Sequence, residues 1–303
     1  MPRELKHFLI ALPVIVLSAL AITLWIGAGQ PKPTRSAPAD PESDGPRIAV
    51  LSPALAVIVR DLGLEADIVA RHGFDIVLDK SIPVAGDQSG LDYEALLLAK
   101  PTHVLIQWGQ RELPRRLGDL ADERGWIVED FDLLTLSDIS ETTAAIEQLF
   151  DIDADRRLSD ILPDAWAASE VDLSGVGRVL MLAATQPPRA LGPGSYHHQI
   201  LVSLGAEPAI TDGASWKELD AEDVLRLAPD AIILIQAATF GAKTTAPNWV
   251  DLLARLGRVG DLDIPAIRGR RVVLIDDPLA LIPSTATADL SAQIRSILER
   301  WAE

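Results

Sequence analysis

The chain has 303 residues, 48% of them hydrophobic and 23% charged, enough for two cores of ordinary domain size. Its net charge of −17 repels phosphate backbones and anionic headgroups, which argues against nucleic acid as a partner and favours cationic ligands or basic protein surfaces. The absence of cysteine removes disulfides, thiolate metal sites, thiol nucleophiles and lipoprotein attachment together.

Arg3 and Lys6 precede an uncharged run from Phe8 to Ala28, interrupted only by Pro13, Ser18 and Thr23 among its apolar residues. That length reads as a membrane span, whereas a signal-peptide core has roughly 7–15 residues. Residues 1–29 are therefore expected to be an uncleaved signal-anchor. A cleaved signal is the alternative, with Gly27-Ala28-Gly29 offering a cleavage site. The body is expected outside the cytoplasm, anchored to the inner membrane through residues 8–28. Residues 30–46 contain five prolines and no large apolar side chain, so they form an extended tether.

From Arg47 the pattern becomes globular. Ile48 to Leu51 reads as a buried strand, followed by a helix that Ser52 caps, Pro53 opens and Gly63 stops. Ile68-Val69, Thr102 to Gln107 and Trp126 to Val128 read as strands, with helices over Leu91 to Ala99 and about Glu112 to Arg124. Ser137 to Phe150 reads as a helix capped by Ser137. Asp153 to Ser169 carries Leu158, Ile161, Leu162 and Trp166 at helical spacing, with Pro163 either kinking the helix or marking a restart. Strands at Val179 to Leu182, Ala231 to Ile235 and Val272 to Ile275 then alternate with helices at His197 to Leu204, Ala221 to Leu227 and near Trp249 to Leu256. A last helix ends near Trp301. Such alternation implies a mostly parallel, helix-covered sheet in each half.

The halves echo each other. Leu91-Asp92-Tyr93-Glu94 runs through Leu97 and Pro101 to Val104-Leu105-Ile106, and Leu219-Asp220-Ala221-Glu222 runs through Leu225 and Pro229 to Ile232-Ile233-Leu234. Leu62-Gly63-Leu64-Glu65 likewise matches Leu204-Gly205-Ala206-Glu207. A repeat this long means two lobes of one design with a cleft between them. Glu94 and Glu222 then form two equivalent acidic knobs, suited to two basic sockets.

Ligands of open α/β sheets lie at the carboxyl ends of the strands. The loops expected there contain Ser52-Pro53, Trp108-Gly109 and Gly192-Pro193-Gly194-Ser195-Tyr196-His197-His198, with Trp216 in a later loop. Ser52, Pro53, Trp108, Gly109, Ser195, Tyr196, His197 and Trp216 are the candidate ligand contacts, the aromatic rings stacking on a flat or bulky apolar ligand. Adjacent histidines on a helix point about 100° apart, so His197-His198 is not expected to hold a metal and reads mainly as a solvated helix start. Asp276-Asp277 reads as a solvated turn. There is no nucleophile elbow, Walker motif or dinucleotide fingerprint, and no catalytic residue is assigned.

Arg47 to Pro53, Leu62-Gly63-Leu64, Pro83 to Gly86, Leu91 to Leu96 and Lys100-Pro101 resemble the first lobe of the cobalamin and ferric-siderophore periplasmic binding proteins. Arg178 to Leu180, Gly194-Ser195, Leu204-Gly205, Leu219 to Glu222, Ala228 to Asp230 and Ile264 to Val272 continue the resemblance in the same order. It spans most of residues 47–300 and implies two Rossmann-like lobes, 47–150 and 171–303, joined by one long helix within 151–170. It also implies a small-molecule ligand, a metal chelate or corrinoid, held without a cofactor of the protein's own and delivered to an ABC permease dimer that docks on Glu94 and Glu222. Two departures stand out. Leu91 replaces the proline expected three residues before the first glutamate, and Leu281 to Thr287 replaces an arginine-rich segment, which disfavours anionic chelates. Rival readings are a membrane-anchored divergent member acting as sensor or assembly factor and, from another class, a two-lobed extracytoplasmic enzyme.

Overall fold

The fully buried run Ile48-Ala49-Val50 contains no polar side chain, as a strand covered on both faces requires. It forms the centre of the first of two six-stranded sheets in a computed structural model that describes residues 45–109, 112–237 and 247–303. Strand β1 (Ile48–Val50) is flanked by the parallel strands β2 (Ile68–His72) and β5 (His103–Ile106). Strand β3 (Val84–Asp87) extends the sheet beyond β2, with β4 (Gly90–Leu91) antiparallel at that edge, and β6 (Ile127–Asp130) closes the other edge. Helix α1 (Pro53–Asp61) follows β1, α2 (Tyr93–Ala99) follows β4, α3 (Arg115–Arg124) precedes β6, and α4 (Leu136–Leu149) comes after it. Thr135, not Ser137, caps α4, in a reciprocal capping box with Asp138.

The second sheet repeats the plan. After a single-turn helix α5 (Leu162–Ala165), strand β7 (Arg178–Thr185) folds back on β8 (Pro188–Leu191) as a hairpin. Helix α6 (Tyr196–Ser203) follows, then the two-residue strand β9 (Glu207–Pro208), β10 (Trp216–Glu218) and helix α7 (Ala221–Leu227). Strand β11 (Ala231–Gln236) lies between β7 and β12 (Val272–Asp276), parallel to both. Helices α8 (Trp249–Leu256) and α9 (Pro265–Arg268) fill the connection, and α10 (Thr287–Ala302) ends the chain.

The duplication extends to individual backbone turns. Ser52 and Ser195 cap α1 and α6 with their hydroxyls. Both helices end in the same bond pair, Gly63 N to Arg60 O (2.8 Å) with Leu64 N to Val59 O (3.1 Å), and Gly205 N to Val202 O (3.0 Å) with Ala206 N to Leu201 O (3.1 Å). Each glycine has a positive φ, 78° and 90°, the left-handed stop that a Cβ disfavours.

Three apolar layers separate the elements. One packs α2 and α3 on the first sheet, through Leu96, Ala99 and Leu117. Another packs α7, α8 and α9 on the second, through Val224, Leu256 and Ala266. Between the sheets a single continuous layer joins α1 and α4 to α6 and α10, with Leu55, Ile58, Ile139, Ile200 and Ile294 among its members.

The expected long linking helix is not formed. Residues 154–156 make one 3₁₀ turn and the chain restarts at α5, whose second residue is Pro163. Proline has no N–H for a preceding turn to use, so it begins a helix and does not continue one. The donors just upstream go to a side chain instead: the buried carboxylate of Glu147 accepts from Leu158 N (2.6 Å), Ser159 N (3.0 Å) and Ser159 Oγ. Among the described residues no helix is long and apolar enough to cross a membrane; the expected span Phe8 to Ala28 and the tether 30–46, except for Gly45 and Pro46, lie outside those residues.

Candidate functional site

The parallel strands of the first sheet point one edge toward a common side, and their carboxyl ends present, in spatial order, His72 to Phe74, Ser52, Gln107 to Gly109 and Asp130. Ser52 is buried and its hydroxyl is fully used, accepting from Ala54 N (3.1 Å) and donating to Gln107 Oε1 (2.7 Å). From the end of the central strand β1 it therefore orients Gln107, at the end of the neighbouring strand β5. Trp108 is half-buried, its backbone N–H held by Asp130 Oδ1 at 2.7 Å and its indole Nε1 donating to Glu112 O at 3.1 Å. Gly109 beside it is exposed with φ 72°, and Pro53 is half-buried in the first turn of α1.

Phe74 belongs to this edge and was missed in the sequence. It is 52% exposed, two residues past β2, and its ring stands 5.8 Å from that of His72. The turn is rigidly built: Phe74 N donates to His72 Nδ1 (3.1 Å) and Gly73 N to Gly86 O (2.7 Å). Behind it the buried Arg71 donates to Ile82 O and His72 O, and the buried Asp75 accepts from Val77 N and Leu78 N. Burial lowers the pKa of His72 despite the opposing charges of Asp87 and Asp75. The neutral ring accepts at Nδ1 and so carries its proton on Nε2. The available signal was an aromatic a few residues after the strand run Ile68-Val69.

In the second lobe the carboxyl end of β7 is occupied by the β7–β8 hairpin, with Gln186 and Pro187 exposed at its tip. The chain then returns beside β7 before α6 begins. Tyr196 and His197 are therefore drawn into the core, 6% and 1% exposed, so His197 is not the solvated helix start read from the sequence, and Tyr196, expected as a ligand contact, is buried. Their rings stack at 3.8 Å, and both reach one acceptor, Ala280 O, from Tyr196 OH (3.1 Å) and His197 Nε2 (2.8 Å). Donation from Nε2 leaves Nδ1 bare, and it has no partner. Burial pushes the His197 pKa down to about 4, the bond to Ala280 opposing it, and raises that of Tyr196. Ser195 is likewise engaged, accepting from His198 N (3.2 Å) and donating to Gly192 O (2.8 Å). Trp216, expected in a loop, opens strand β10 opposite Leu191 and is 53% exposed at the sheet edge.

Glu94 and Glu222 occupy the second position of α2 and α7, exposed, each behind an aspartate cap, Asp92 and Asp220. An open groove of about 560 Å³ beside Glu94 is lined by Asp87, Asp92, Tyr93 and Arg116, whose guanidinium lies 4.5 Å from the Tyr93 ring centroid. Asp277, half of the paired acids, has structural partners, accepting from Leu279 N (2.8 Å) and Gln293 Nε2 (3.0 Å). Among the described residues no group of three or more His, Cys, Asp or Glu could hold a metal ion.

Two duplicated, mostly parallel α/β lobes, with candidate ligand faces at their strand ends, make up the fold. The similarities to known proteins are of that kind. The vitamin B12-binding protein of Salmonella typhimurium is 24% identical over 193 residues, covering 62% of this chain and 72% of that protein. Among solved structures, the periplasmic heme binding protein of Vibrio cholerae aligns over 83% of this chain and 98% of its own, at 18% identity and a TM-score of 0.66. The periplasmic vitamin B12 binding protein of Vibrio cholerae aligns over 85% and 98%, at 18% identity and a TM-score of 0.62. A possible iron-binding, periplasmic solute-binding protein of Staphylococcus epidermidis aligns over 83% and 98%, at 22% identity and the same TM-score. No family model matches the chain. The resemblance read from the sequence is borne out: this chain has the fold of periplasmic binding proteins for cobalamin, heme and iron.

Proposed function

We propose that the chain is an extracytoplasmic solute-binding protein that holds a corrinoid or iron-chelate ligand between lobes 47–150 and 171–303 and delivers it to an ABC permease dimer. It does no chemistry on its ligand. The observation that carries this reading is the strand–aspartate–helix–proline unit built twice, exposing Glu94 and Glu222 at equivalent positions. A dimeric permease with two basic sockets matches two such carboxylates, and charge pairs of this kind guide encounter and orientation. Ligand contact falls to Phe74 and His72, Trp108 and Gly109 in the first lobe, and to the Gln186-Pro187 tip in the second. Ser52 and Ser195 act indirectly, by fixing the loops, and Tyr196 and His197 act from behind. Trp216 stands at the rim. The uncharged run Phe8 to Ala28 anchors the body to the inner membrane on its outer side.

Native mass spectrometry of the full chain, purified from membranes without denaturation, tests the reading. A corrinoid, tetrapyrrole or iron chelate bound one to one supports it. A peptide or sugar in the cleft, or turnover of the bound molecule, overturns it.

A further inference from the structure

Leu281 to Thr287, the segment that departs from the family resemblance, turns its side chains inward. Ser284 is fully buried and Thr285 and Thr287 nearly so, while Leu281 and Ile282 pack against the layer shared by the lobes. Thr287 Oγ1 and Ser284 Oγ are satisfied within the segment, by Ser284 O (2.7 Å) and Ile282 O (3.3 Å). Contacts lead outward from Thr285 and from Ala280, which directly precedes the segment. Ala280 O binds Tyr196 and His197 at the start of α6, in its own lobe. Thr285 Oγ1 donates to Asp61 Oδ2 at the end of α1, in the other lobe. Arg60 occupies the second carboxylate oxygen of Asp61 through Nε (2.9 Å) and Nη2 (2.7 Å), so Oδ2 is left for Thr285.

We propose that residues 280–287 form a strap that sets the geometry between the lobes, with Thr285 and Asp61 as positioning residues for the cleft. The linker cannot act as a stiff rod, because the chain from Leu149 to Arg178 holds only α5 and isolated 3₁₀ turns. It is pinned at two interior places, by Arg156 Nη2 to Leu62 O (3.0 Å) and by Arg295 Nη2 to Ala165 O (3.2 Å) and Ala167 O (2.9 Å). The apolar layer between the lobes resists separation, but burial is non-directional and does not fix a register. Directional bonds do, and a hydroxyl on a carboxylate is a strong, charge-assisted one. Leu136 N to Gln199 Oε1 (2.8 Å) is a second direct crossing, between α4 and α6. Beside the Thr285–Asp61 bond a cavity of about 330 Å³, lined by Leu158, Leu162, Ala165 and Ala288, leaves room for the lobes to shift once the bond is cut.

The strap's relevance to ligand capture rests on the proposed binding function, but its test needs no ligand, so the two can fail separately. The chain has no cysteine, so Glu123→Cys and Val250→Cys, exposed on α3 and α8, provide one spin-label pair in the full chain. The parent should give a single narrow distance distribution. Thr285→Val should at least double its width or split it, and Thr285→Ser should restore it. Asp61→Ala should match Thr285→Val, with the double variant no broader than either, as expected when one bond is removed twice. A Thr285→Val distribution that superimposes on the parent's overturns the strap, and so does a Thr285→Ser variant as broad as the valine. Should Asp61→Ala fail to fold, the valine and serine variants decide the matter between them.

Discussion

Lys100 and Ala228, one in each lobe, leave their helices in the same left-handed conformation, with φ of 49° and 42°, each directly before a proline. Pro101 and Pro229 disfavour a right-handed residue before them, so the chain turns without the glycine such a stop usually uses. Each position carries the cost of a Cβ in the left-handed region. Lys100→Gly and Ala228→Gly should each stabilise the protein by about 0.5–1 kcal/mol, less the greater entropy of glycine in the unfolded chain. Their effects should add in denaturant titration, because the sites share no partner.

The exposed ring of Phe74 and the half-buried ring of Trp108 share one sheet edge, with β1 between their strands. Phe74→Ala and Trp108→Ala should each weaken binding of cyanocobalamin or hemin, whichever the parent binds, by about 1–3 kcal/mol. Tyr196→Phe should leave affinity unchanged and cost about 1 kcal/mol of stability, the loss of its bond to Ala280 O. Titration followed by tryptophan fluorescence or ligand absorbance separates the two behaviours. Equal affinity in parent, Phe74→Ala and Trp108→Ala would move the site elsewhere.

Carboxylates on exposed helix starts gain little from folding. Glu94→Ala combined with Glu222→Ala should leave the melting temperature and ligand affinity unchanged while uptake by cells falls about tenfold or more. Undiminished uptake would remove the permease from the picture.

His197 predicts an acid sensitivity. Its pKa is lowered to about 4 in the fold against an ordinary 6.5, so the unfolded chain binds the extra proton between these values. Stability should therefore be complete above pH 6.5 and decline as the pH falls toward 4, with no further contribution below that. The loss attributable to His197 is on the order of 3 kcal/mol. His72, His103 and His198, whose pKa values are also lowered by burial, steepen the same window. His197→Asn should flatten, without abolishing, the slope of melting temperature against pH from 6.5 to 4.

The sequence disclosed the duplication because its signals are local: an aspartate cap, a glutamate in the first turn and a proline after the helix recur at one spacing. The helix starts at Ser52 and near Tyr196 were legible for the same reason. Strands β8, β9 and β10 were not, being two to four residues long and containing Pro188 and Pro208, so no alternation could develop. Missing β8 misplaced Tyr196 and His197, since only the hairpin's return carries them from the sheet end into the core. The long linker helix rested on the helical spacing of Leu158, Ile161, Leu162 and Trp166 as well as on the resemblance, and it failed at Pro163, where the restart was already a visible alternative. That Glu147 would be buried and collect the linker's donors was invisible, because a glutamate in an amphipathic helix reads as solvated. Phe74 was overlooked among residues with no periodicity, although its distance from a strand end could have flagged it.

The apolar layer that joins α1 and α4 to α6 and α10 belongs to neither lobe alone. Opening either sheet strips the cover from the other, so heat should melt both together in one calorimetric transition, and a fragment ending near Phe150 should aggregate and not fold.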